Sequence, residues 1–508
     1  MTVVVVGGGH NGLVAACYLA KAGREVLVLE ASDRLGGGSR TEQTVPGHLF
    51  NTHAAAHNIL NMTRIPAELD LAGAGLQQVE MEPFATGFGE DGEVRRFSRS
   101  IAATAAGLPD GDAYAAFLSR AVPLVRTAVS GLDPAHGFPA ALRQGAAGQL
   151  LPLLQGVRRA GGPLGLLHDL TAPYGSLLST VLDDELTRAS VASFASHSSA
   201  GPHTPGGSFY VFWQAAYHLY GQWHPRGGSQ ALPDALERRL LSYGGATRTG
   251  AVVTRIDAAG GRVRGVELEG GERIAAEAVV SAVDVQTALL HLLDPPLGGA
   301  AARELAAAHR GNAVQLVVHL STDRLPPYPG AQPGDWNGLQ SHVGSVEQLR
   351  RGFLAAEAHR LPEPPPTYCF TPSVYDDTLA PPGRHTVYLA CPCAPSEVDG
   401  GWARHAEAFA DAMVAQVERV APGFTSSIRA RHVHTPELMA RELRWPGAHP
   451  MHLDISLDQL AALRPTRRLS RHTVPGTAGL VTCGASTGPV GGISGSSGKA
   501  AALALLAG

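Results

Sequence analysis

The chain has 508 residues, of which 44% are hydrophobic and 17% are charged, which excludes an intrinsically disordered protein. A formal net charge of −4 leaves no basic surplus for the phosphates of a nucleic acid. Five cysteines are too few for a disulfide framework in a chain of this length, so a reducing, cytoplasmic setting is expected.

The start of the chain shows no targeting segment. Met1 and Thr2 lead directly into four valines and a glycine turn, without the long apolar run of a signal peptide. Two stretches without Asp, Glu, Lys or Arg, 189–225 and 472–498, contain repeated Gly, Pro, Ser or His. We therefore expect no membrane-spanning helix, and at most a peripheral membrane contact.

The sharpest motif follows the first predicted strand, Thr2–Val6. Gly7, Gly9 and Gly12 occupy the glycine positions of G-x-G-x-x-G, and an apolar helix is predicted directly after them. These glycines permit a tight turn, the approach of a pyrophosphate and close packing of helix on strand. The positive end of the helix dipole then faces the phosphates, so the pattern predicts a dinucleotide site.

A second predicted strand, Glu25–Leu29, leads into the acidic residue Glu30, which comes 18 residues after Gly12. A carboxylate at this place accepts hydrogen bonds from a ribose diol and would repel a 2′-phosphate. The dinucleotide is therefore expected to carry a free ribose.

The next segment, 31–41, contains an R-x-G-G extension at Arg34, Gly36 and Gly37. Together with the run GHNGLVAA at 9–16, it resembles FAD-dependent amine oxidases and, especially, phytoene-desaturase-related flavoproteins. The resemblance implies FAD as cofactor. It also implies an α/β fold in which a discontinuous, Rossmann-like FAD-binding domain carries an inserted mixed α+β substrate domain.

Three later blocks extend the resemblance. Residues 224–232 contain a P-x-G-G turn before a helix, and 250–268 form two alternating strands that predict a hairpin. In the family, the residue that matches Val253 pairs its backbone with adenine. The block 481–507 resembles the strand, loop and helix that close the FAD site, with the helix N-terminus directed at the flavin.

The residues expected to bind FAD all lie in these motifs. They are Gly7, Gly9, His10, Asn11, Gly12, Glu30, Ala31, Arg34, Gly36, Gly37, Gly38, Ser39, Arg40, Val253, Gly484, Ala485, Gly491, Gly492 and Ile493.

Three positions depart from the family pattern. Many relatives have an acid where this chain has Ala485, although close phytoene-desaturase relatives also have a small residue there. Those relatives often have histidine in place of Gly488 and glycine in place of Val490. The last two differences face the isoalloxazine region by the resemblance, and they favour a changed substrate.

The domains follow from these blocks. The FAD-binding domain is expected to comprise 1–75, 222–292 and 470–508, and the substrate domain 76–221 and 293–469. The middle of the chain is predicted to be mostly helical, as in Ala113–Val122 and Asp184–Ala195. Strands are predicted at Val314–Leu320 and Thr386–Ala390, and loops at Pro326–Pro333 and Leu361–Pro366 from their prolines.

Catalytic residues are harder to identify, because hydride transfer to flavin N5 depends on placement more than on one side chain. Desaturation of a C–C bond also needs a base that takes a proton. The candidates are His57, Tyr217 and His452. His53, His449 and Asp454, which lie close to them in the sequence, are further candidates for the base. With 22 histidines in the chain, any single one has a structural role more often than a catalytic one.

Two further features carry expectations about chemistry. Cys391 and Cys393 have no second cysteine pair, so we expect core residues and no metal site. The only lysines are Lys21 and Lys499, and neither falls in the substrate domain. Many amine oxidases of the resembling family use a lysine there in the reaction with oxygen, so slow reoxidation by oxygen is expected.

The charge-free stretch 189–225 holds eight aromatic residues. They suit an apolar cavity in which Tyr217 or Tyr220 touches a substrate. The alternative is a packed helical core, because Phe209, Phe212 and Trp213 fit one helical face.

Three functions remain open from sequence. The first is an FAD-dependent oxidoreductase that removes two hydrogens from an apolar or natural-product substrate. The second is a redox-neutral flavoprotein isomerase of a polyene. The third is a lipid-binding protein like the Rab GDP-dissociation inhibitors, which the intact glycine turn and Glu30 disfavour.

Overall fold

The computed structural model describes residues 2–133 and 154–507. A five-stranded parallel sheet organises the N-terminal region, and its strands are buried on both faces, as is typical of parallel sheets, except for the exposed edge strand Ala246–Arg248. Its strands, from one edge to the other, are Leu480–Thr482, Ala278–Ser281, Thr2–Val6, Glu25–Leu29 and Ala246–Arg248.

Helices cover one face of this sheet, and a smaller sheet covers the other. The helices His10–Lys21, Ala231–Ser242 and Ser496–Ala507 pack together in one apolar cluster. The opposing four-stranded sheet packs against Val4 and Val6. Its strand order is Arg273–Ala275, Arg262–Leu268, Val253–Ala259 and Leu293–Asp294.

A seven-stranded mixed sheet forms the core of the second region. Its order is Ile428–His434, Ala313–Thr322, His385–Pro395, Tyr368–Phe370, Leu339–Ser341, Ala85–Phe88 and Val94–Phe97. Two small antiparallel pairs accompany it, Thr41–Val45 with His48–Asn51 and Gln78–Glu80 with Trp223–Pro225.

Helices pack around this sheet and connect the two regions. They are Ile65–Glu68, Ile101–Ala106, Gly111–Ser130, Pro163–Thr171, Tyr174–Val181, Glu185–Ala195, Ser208–Phe212, Gln214–Tyr220, Gly299–Ala306, Val346–Glu357, Trp402–Val420 and Pro436–Leu443. Of the described helices, none combines the length and apolar character needed to cross a membrane.

The local predictions are confirmed. Both strands around the glycine turn form as expected, and the predicted hairpin turns at Gly260 and Gly261, which both have positive φ. All five strands of the parallel sheet come from the segments proposed for the FAD-binding domain. The pair of Gln78–Glu80 with Trp223–Pro225 bridges the proposed boundaries, which stay a prediction.

Candidate active site

One cavity of about 490 Å³ opens at the carboxyl ends of the parallel strands. Its walls include the residues that directly follow three strands: Gly7 after the first, Glu30 after the second and Ala282 after Ala278–Ser281. This is where open α/β sheets bind their ligands, because the chain leaves the sheet there and opens a crevice.

The glycine turn forms the floor of this crevice, and each glycine has a separate geometric reason. Gly7 has a φ of +100°, which a side chain would strain. A Cβ at Gly12 would overlap the carbonyl oxygen of Gly7, so this position sets the helix-to-strand packing. A Cβ at Gly9 would have only Gly37 Cα within 4 Å, at 3.9 Å, so the backbone is open toward the cavity.

The first helix presents its N-terminal amides to the same space. It begins at His10, and its N-cap, Gly9, offers no side chain to accept from those amides. The first amides of an α-helix have no intrahelical acceptor, so an anion at the cavity floor would satisfy them. These residues fit the pyrophosphate of a dinucleotide.

Glu30 is held in place by its own backbone surroundings. Its Oε2 accepts from Gly8 N at 2.7 Å, and its Oε1 accepts from Ser32 N at 2.9 Å. The side chain is buried and lines the cavity beside Ala31 and Val253. The carboxylate retains lone pairs for a ribose diol.

Glu30→Ala should weaken FAD retention while the protein stays folded. The change removes charge-assisted hydrogen bonds worth about 1.5–3 kcal/mol, which corresponds to a loss of roughly tenfold to a hundredfold in affinity. Titration of FAD into the apoprotein measures this loss. Glu25→Ala, an exposed change on the preceding strand, is the control, and equal affinities for both variants would contradict the assignment.

The C-terminal block closes the crevice from the far side. His10 Nε2 lies 3.1 Å from the carbonyl oxygen of Gly492, and Gly498 N donates to Asn11 Oδ1 at 3.3 Å. Burial lowers the pKa of His10 to about 4, so its ring is neutral near pH 7. The neutral ring therefore donates to Gly492 without adding a positive charge.

One buried arginine, Arg464, holds the loops beneath this block together by hydrogen bonds. Arg464 is fully buried, and its guanidinium donates to Ala485 O at 2.8 Å and to Met451 O at 2.6 Å. Burial lowers its pKa to about 10, so it remains charged near neutral pH. Both acceptor residues line the cavity, so Arg464 sets the position of two walls at once.

Most of the residues predicted to bind FAD line the cavity, and four predicted site residues do not. Arg34 Nη1 donates to Thr41 O at 3.2 Å, and Gly36 N donates to Gly8 O at 2.9 Å. Ser39 Oγ donates to Ser229 O at 2.9 Å. His57 is fully buried with its Nε2 3.0 Å from Ser229 Oγ. The polar groups of all four are turned to neighbouring chain. Gly36, Ser39 and His57 are buried behind the wall, whereas Arg34 is an exposed residue.

Aromatic side chains line the part of the cavity away from the glycine turn. Tyr217 packs against Phe194, with ring centroids 4.9 Å apart, and both line the cavity. The further aromatic rings of this wall are Phe209, Tyr210, Trp213, Tyr368, Phe370 and Tyr388.

For the stretch 189–225 the sequence leaves a cavity wall and a helical core as alternatives, and the structure shows both. Phe212 is buried and stacks on Phe117 in the core, whereas Phe209 and Trp213 face the cavity. Tyr220 lies outside the cavity wall.

Three histidines at the cavity, His53, His197 and His452, carry a buried ring nitrogen without a hydrogen-bond partner, and in His197 this is Nε2. Nδ1 of His452 and Nδ1 of His53 are both buried and unpaired. Burial lowers the pKa of His452 to about 4, and burial with neighbouring His434 lowers that of His53. Both rings are neutral near pH 7 and are able to accept a proton.

The lysines and cysteines stay away from the cavity. Lys499 Nζ bonds Glu68 Oε2 and Asp133 Oδ1, both at 2.7 Å, and Lys21 donates to the Glu68 carbonyl. Slow reoxidation by oxygen stays a prediction. All five cysteines are buried and free, which confirms the core placement of Cys391 and Cys393. Among the described residues, no group of three or more His, Cys, Asp or Glu is arranged to hold a metal ion.

Several cavity residues escaped the sequence analysis. Asp284 and Thr287 follow the strand Ala278–Ser281, so their place after a parallel strand was a usable signal. Trp445 had no such signal. It covers Gly38, where an added Cβ would lie 2.6 Å from the indole, and it comes from a distant segment.

Comparison with known proteins identifies the class. Residues 170–505 match the flavin containing amine oxidoreductase family, and residues 5–66 match an NAD(P)-binding Rossmann-like domain. The mouse pyridine nucleotide-disulfide oxidoreductase domain-containing protein 2 is 30% identical over 98% of this chain and 92% of its own. Phytoene dehydrogenase from Streptomyces griseus is 27% identical over 96% of this chain and 91% of its own.

Solved structures share the fold. An oxidoreductase from Methanosarcina mazei and a mutant of putrescine oxidase each give a TM-score of 0.64 over 100% of both chains, at 17% and 16% identity. Fold, glycine turn and matches together define an FAD-dependent oxidoreductase of the amine oxidase and phytoene desaturase type. The chain belongs to the flavin containing amine oxidoreductase family, and its cofactor is FAD. The lipid-binding alternative without flavin is therefore not retained.

Proposed function

We propose that this oxidoreductase is a dehydrogenase that removes two hydrogens from an apolar small-molecule substrate. The observation that carries the proposal is the aromatic chamber continuous with the FAD crevice, in which Tyr217, Trp213 and Tyr388 line the wall. Bound FAD supplies the acceptor for the hydride. The protein supplies placement, exclusion of water and a group that takes the proton.

The charges around the cavity favour an apolar substrate over an amine cation. Among the described lining residues, the carboxylates are Glu30 and Asp284. Glu30 accepts two backbone amides, and Asp284 pairs with Arg310 at 3.0 Å. A cationic amine would find no free carboxylate in the aromatic part of the chamber, and burying an unpaired cation is costly.

His452 is the proposed base. Its ring lies at the cavity with an unpaired Nδ1, and it packs edge-on against Trp445 with centroids 5.6 Å apart. Because its pKa is lowered by burial, the ring is unprotonated at neutral pH. Nδ1 is thus available for the proton that leaves the substrate carbon.

A substrate panel tests the proposal. We expect an isoprenoid polyene in detergent micelles to bleach the visible band of the flavin under anaerobic conditions, and putrescine to leave it unchanged. Reduction by putrescine alone would overturn the apolar assignment. Conversion of the polyene without any electron acceptor would instead favour the isomerase alternative.

Tyr217→Ala should lower kcat/KM for the polyene at least about tenfold, equivalent to 1.4 kcal/mol of lost contact energy. The ring packs on Phe84 and Phe194 at the wall, so its loss opens the chamber. Tyr217→Phe keeps the ring and should keep most of the activity. FAD absorbance per protein must be unchanged in both variants. Wild-type turnover by Tyr217→Ala would show that the ring is core and not part of the substrate wall.

A further inference from the structure

A row of histidines runs from the cavity wall toward the surface, and the chemistry above uses none of them. The row begins at His53, which lines the cavity just after the strand His48–Asn51. It continues to His434, the last residue of the strand Ile428–His434. The two ring centroids are 4.9 Å apart and meet edge to face.

The row reaches solvent at its other end. His434 is 1% exposed, and its Nε2 lies 3.0 Å from Oε2 of Glu442, whose side chain is 40% exposed. Half-buried His432 packs beside His434, with centroids 5.7 Å apart. Two neighbouring side chains therefore lead from buried His434 to water.

The ring nitrogens are free for proton transfer. Nδ1 of His53 and Nδ1 of His434 are buried without hydrogen-bond partners. An imidazole that accepts a proton at one nitrogen can release a proton from the other. Two adjacent rings therefore pass a proton on when an unpaired nitrogen of one ring turns toward a nitrogen of the other. Buried polar atoms rarely stay unpaired in a folded protein, so these atoms call for an explanation.

The groups that face the row keep His53 neutral, and carboxylates lie at its outer end. Burial lowers the pKa of His53, and the neighbouring His434, His319 and Arg40 lower it further. His319 is tied to Thr44 Oγ1 at 3.0 Å, so it lies beside the row and not along it. At the outer end, Glu442, Glu42 and Glu407 face His432.

A metal site is the obvious alternative for several histidines. The described residues hold no group of three or more potential ligands arranged around a common point. The rings of His53, His434 and His432 meet edge to face, as packed aromatic side chains do.

We propose that His53 and His434 conduct protons between the active-site cavity and solvent, with Glu442 and His432 as the surface outlets. When a substrate loses a hydride to FAD, one proton stays in the cavity and must leave. When a quinone takes the two electrons back, hydroquinone needs two protons, one from the reduced flavin and one from solvent. The conduit serves both directions. It depends on the oxidoreductase class and not on the apolar substrate.

Reoxidation tests the conduit without a known substrate. FAD-loaded enzyme is photoreduced under nitrogen and mixed with 1,4-benzoquinone in H₂O and in D₂O, while flavin absorbance is followed. We expect wild type to show a solvent isotope effect of about twofold or more. His434→Asn should react at least about tenfold more slowly, and added imidazole should restore the rate.

Two comparisons separate conduction from structural damage. His342 is a buried histidine that does not line the cavity, and its Nε2 lies 2.8 Å from Tyr328 OH. The variant His342→Asn should keep the wild-type rate. The double variant Glu442→Gln/His432→Asn alters only the outer end and should slow reoxidation without loss of FAD. A wild-type rate and isotope effect in His434→Asn would overturn the proposal. Equal slowing by His342→Asn, or slowing that imidazole does not relieve, would overturn it too.

Discussion

Arg464→Met is expected to be among the most damaging single substitutions in this protein. The guanidinium is fully buried and donates to five backbone carbonyls, those of Met451, Leu453, Asp454, Gln459 and Ala485. Methionine fills similar space but donates no hydrogen bond. Each buried carbonyl left unpaired costs about 1–3 kcal/mol, so we expect a loss of at least about 3–5 kcal/mol in unfolding free energy.

FAD retention should fall together with stability, because Met451 and Ala485 both line the cavity. Chemical denaturation and the ratio of flavin to protein absorbance measure the two effects. Arg468→Met is the matched control, since Arg468 makes one exposed ion pair with Glu304 at 2.7 Å and should matter by less than about 1 kcal/mol. An unchanged denaturation midpoint in Arg464→Met would show that the loops hold without the arginine.

Two alanine substitutions in the glycine turn should have opposite consequences for folding. In Gly12→Ala the new methyl group overlaps the Gly7 carbonyl oxygen and presses on Ala282 at 3.0 Å. Helix and strand must separate, which should cost about 1–3 kcal/mol or more and abolish FAD binding. In Gly9→Ala the methyl group meets only Gly37 and points into the space for the pyrophosphate. That variant should fold normally and bind FAD weakly.

Thermal unfolding of the apoprotein, followed by titration with FAD, distinguishes the two outcomes. Gly298→Ala provides the control, because an added Cβ there meets no atom within 4 Å. If Gly9→Ala binds FAD as tightly as wild type, the pyrophosphate lies elsewhere. If Gly12→Ala is as stable as wild type, the close helix-to-strand approach is not required.

The sequence alone predicts the local architecture of the FAD crevice. The strand Thr2–Val6, the glycine turn and the helix His10–Lys21 are encoded by residues next to one another, and so is the hairpin 253–268. The spacing and size of the side chains are enough to predict such local units. A turn that needs glycine has glycine at fixed positions, and a helix that starts without a capping side chain is preceded by a residue that cannot cap it. The role of the C-terminal block, 481–507, was predictable only through its resemblance to a family.

The tertiary structure decided which residues reach the cavity. His57 and His452 looked equally plausible as catalytic histidines, yet His57 lies behind the wall at Ser229 and His452 lies at the cavity. Trp445 covers Gly38 from more than four hundred residues away. Contacts of this kind depend on how separate elements pack, and no local pattern in the chain records that packing.

The same division applies to the polar groups. Sequence identifies Arg464 as a cation and the histidines 53 and 434 as titratable, but it does not show that the first is fully buried or that the others meet. An exposed arginine is solvated by water, whereas the buried Arg464 donates its hydrogen bonds to five backbone carbonyls, because water does not compete for them there. Local sequence therefore determined the glycine turn of the cofactor crevice. Long-range packing determined the aromatic chamber, the hydrogen bonds of Arg464 and the row of histidines.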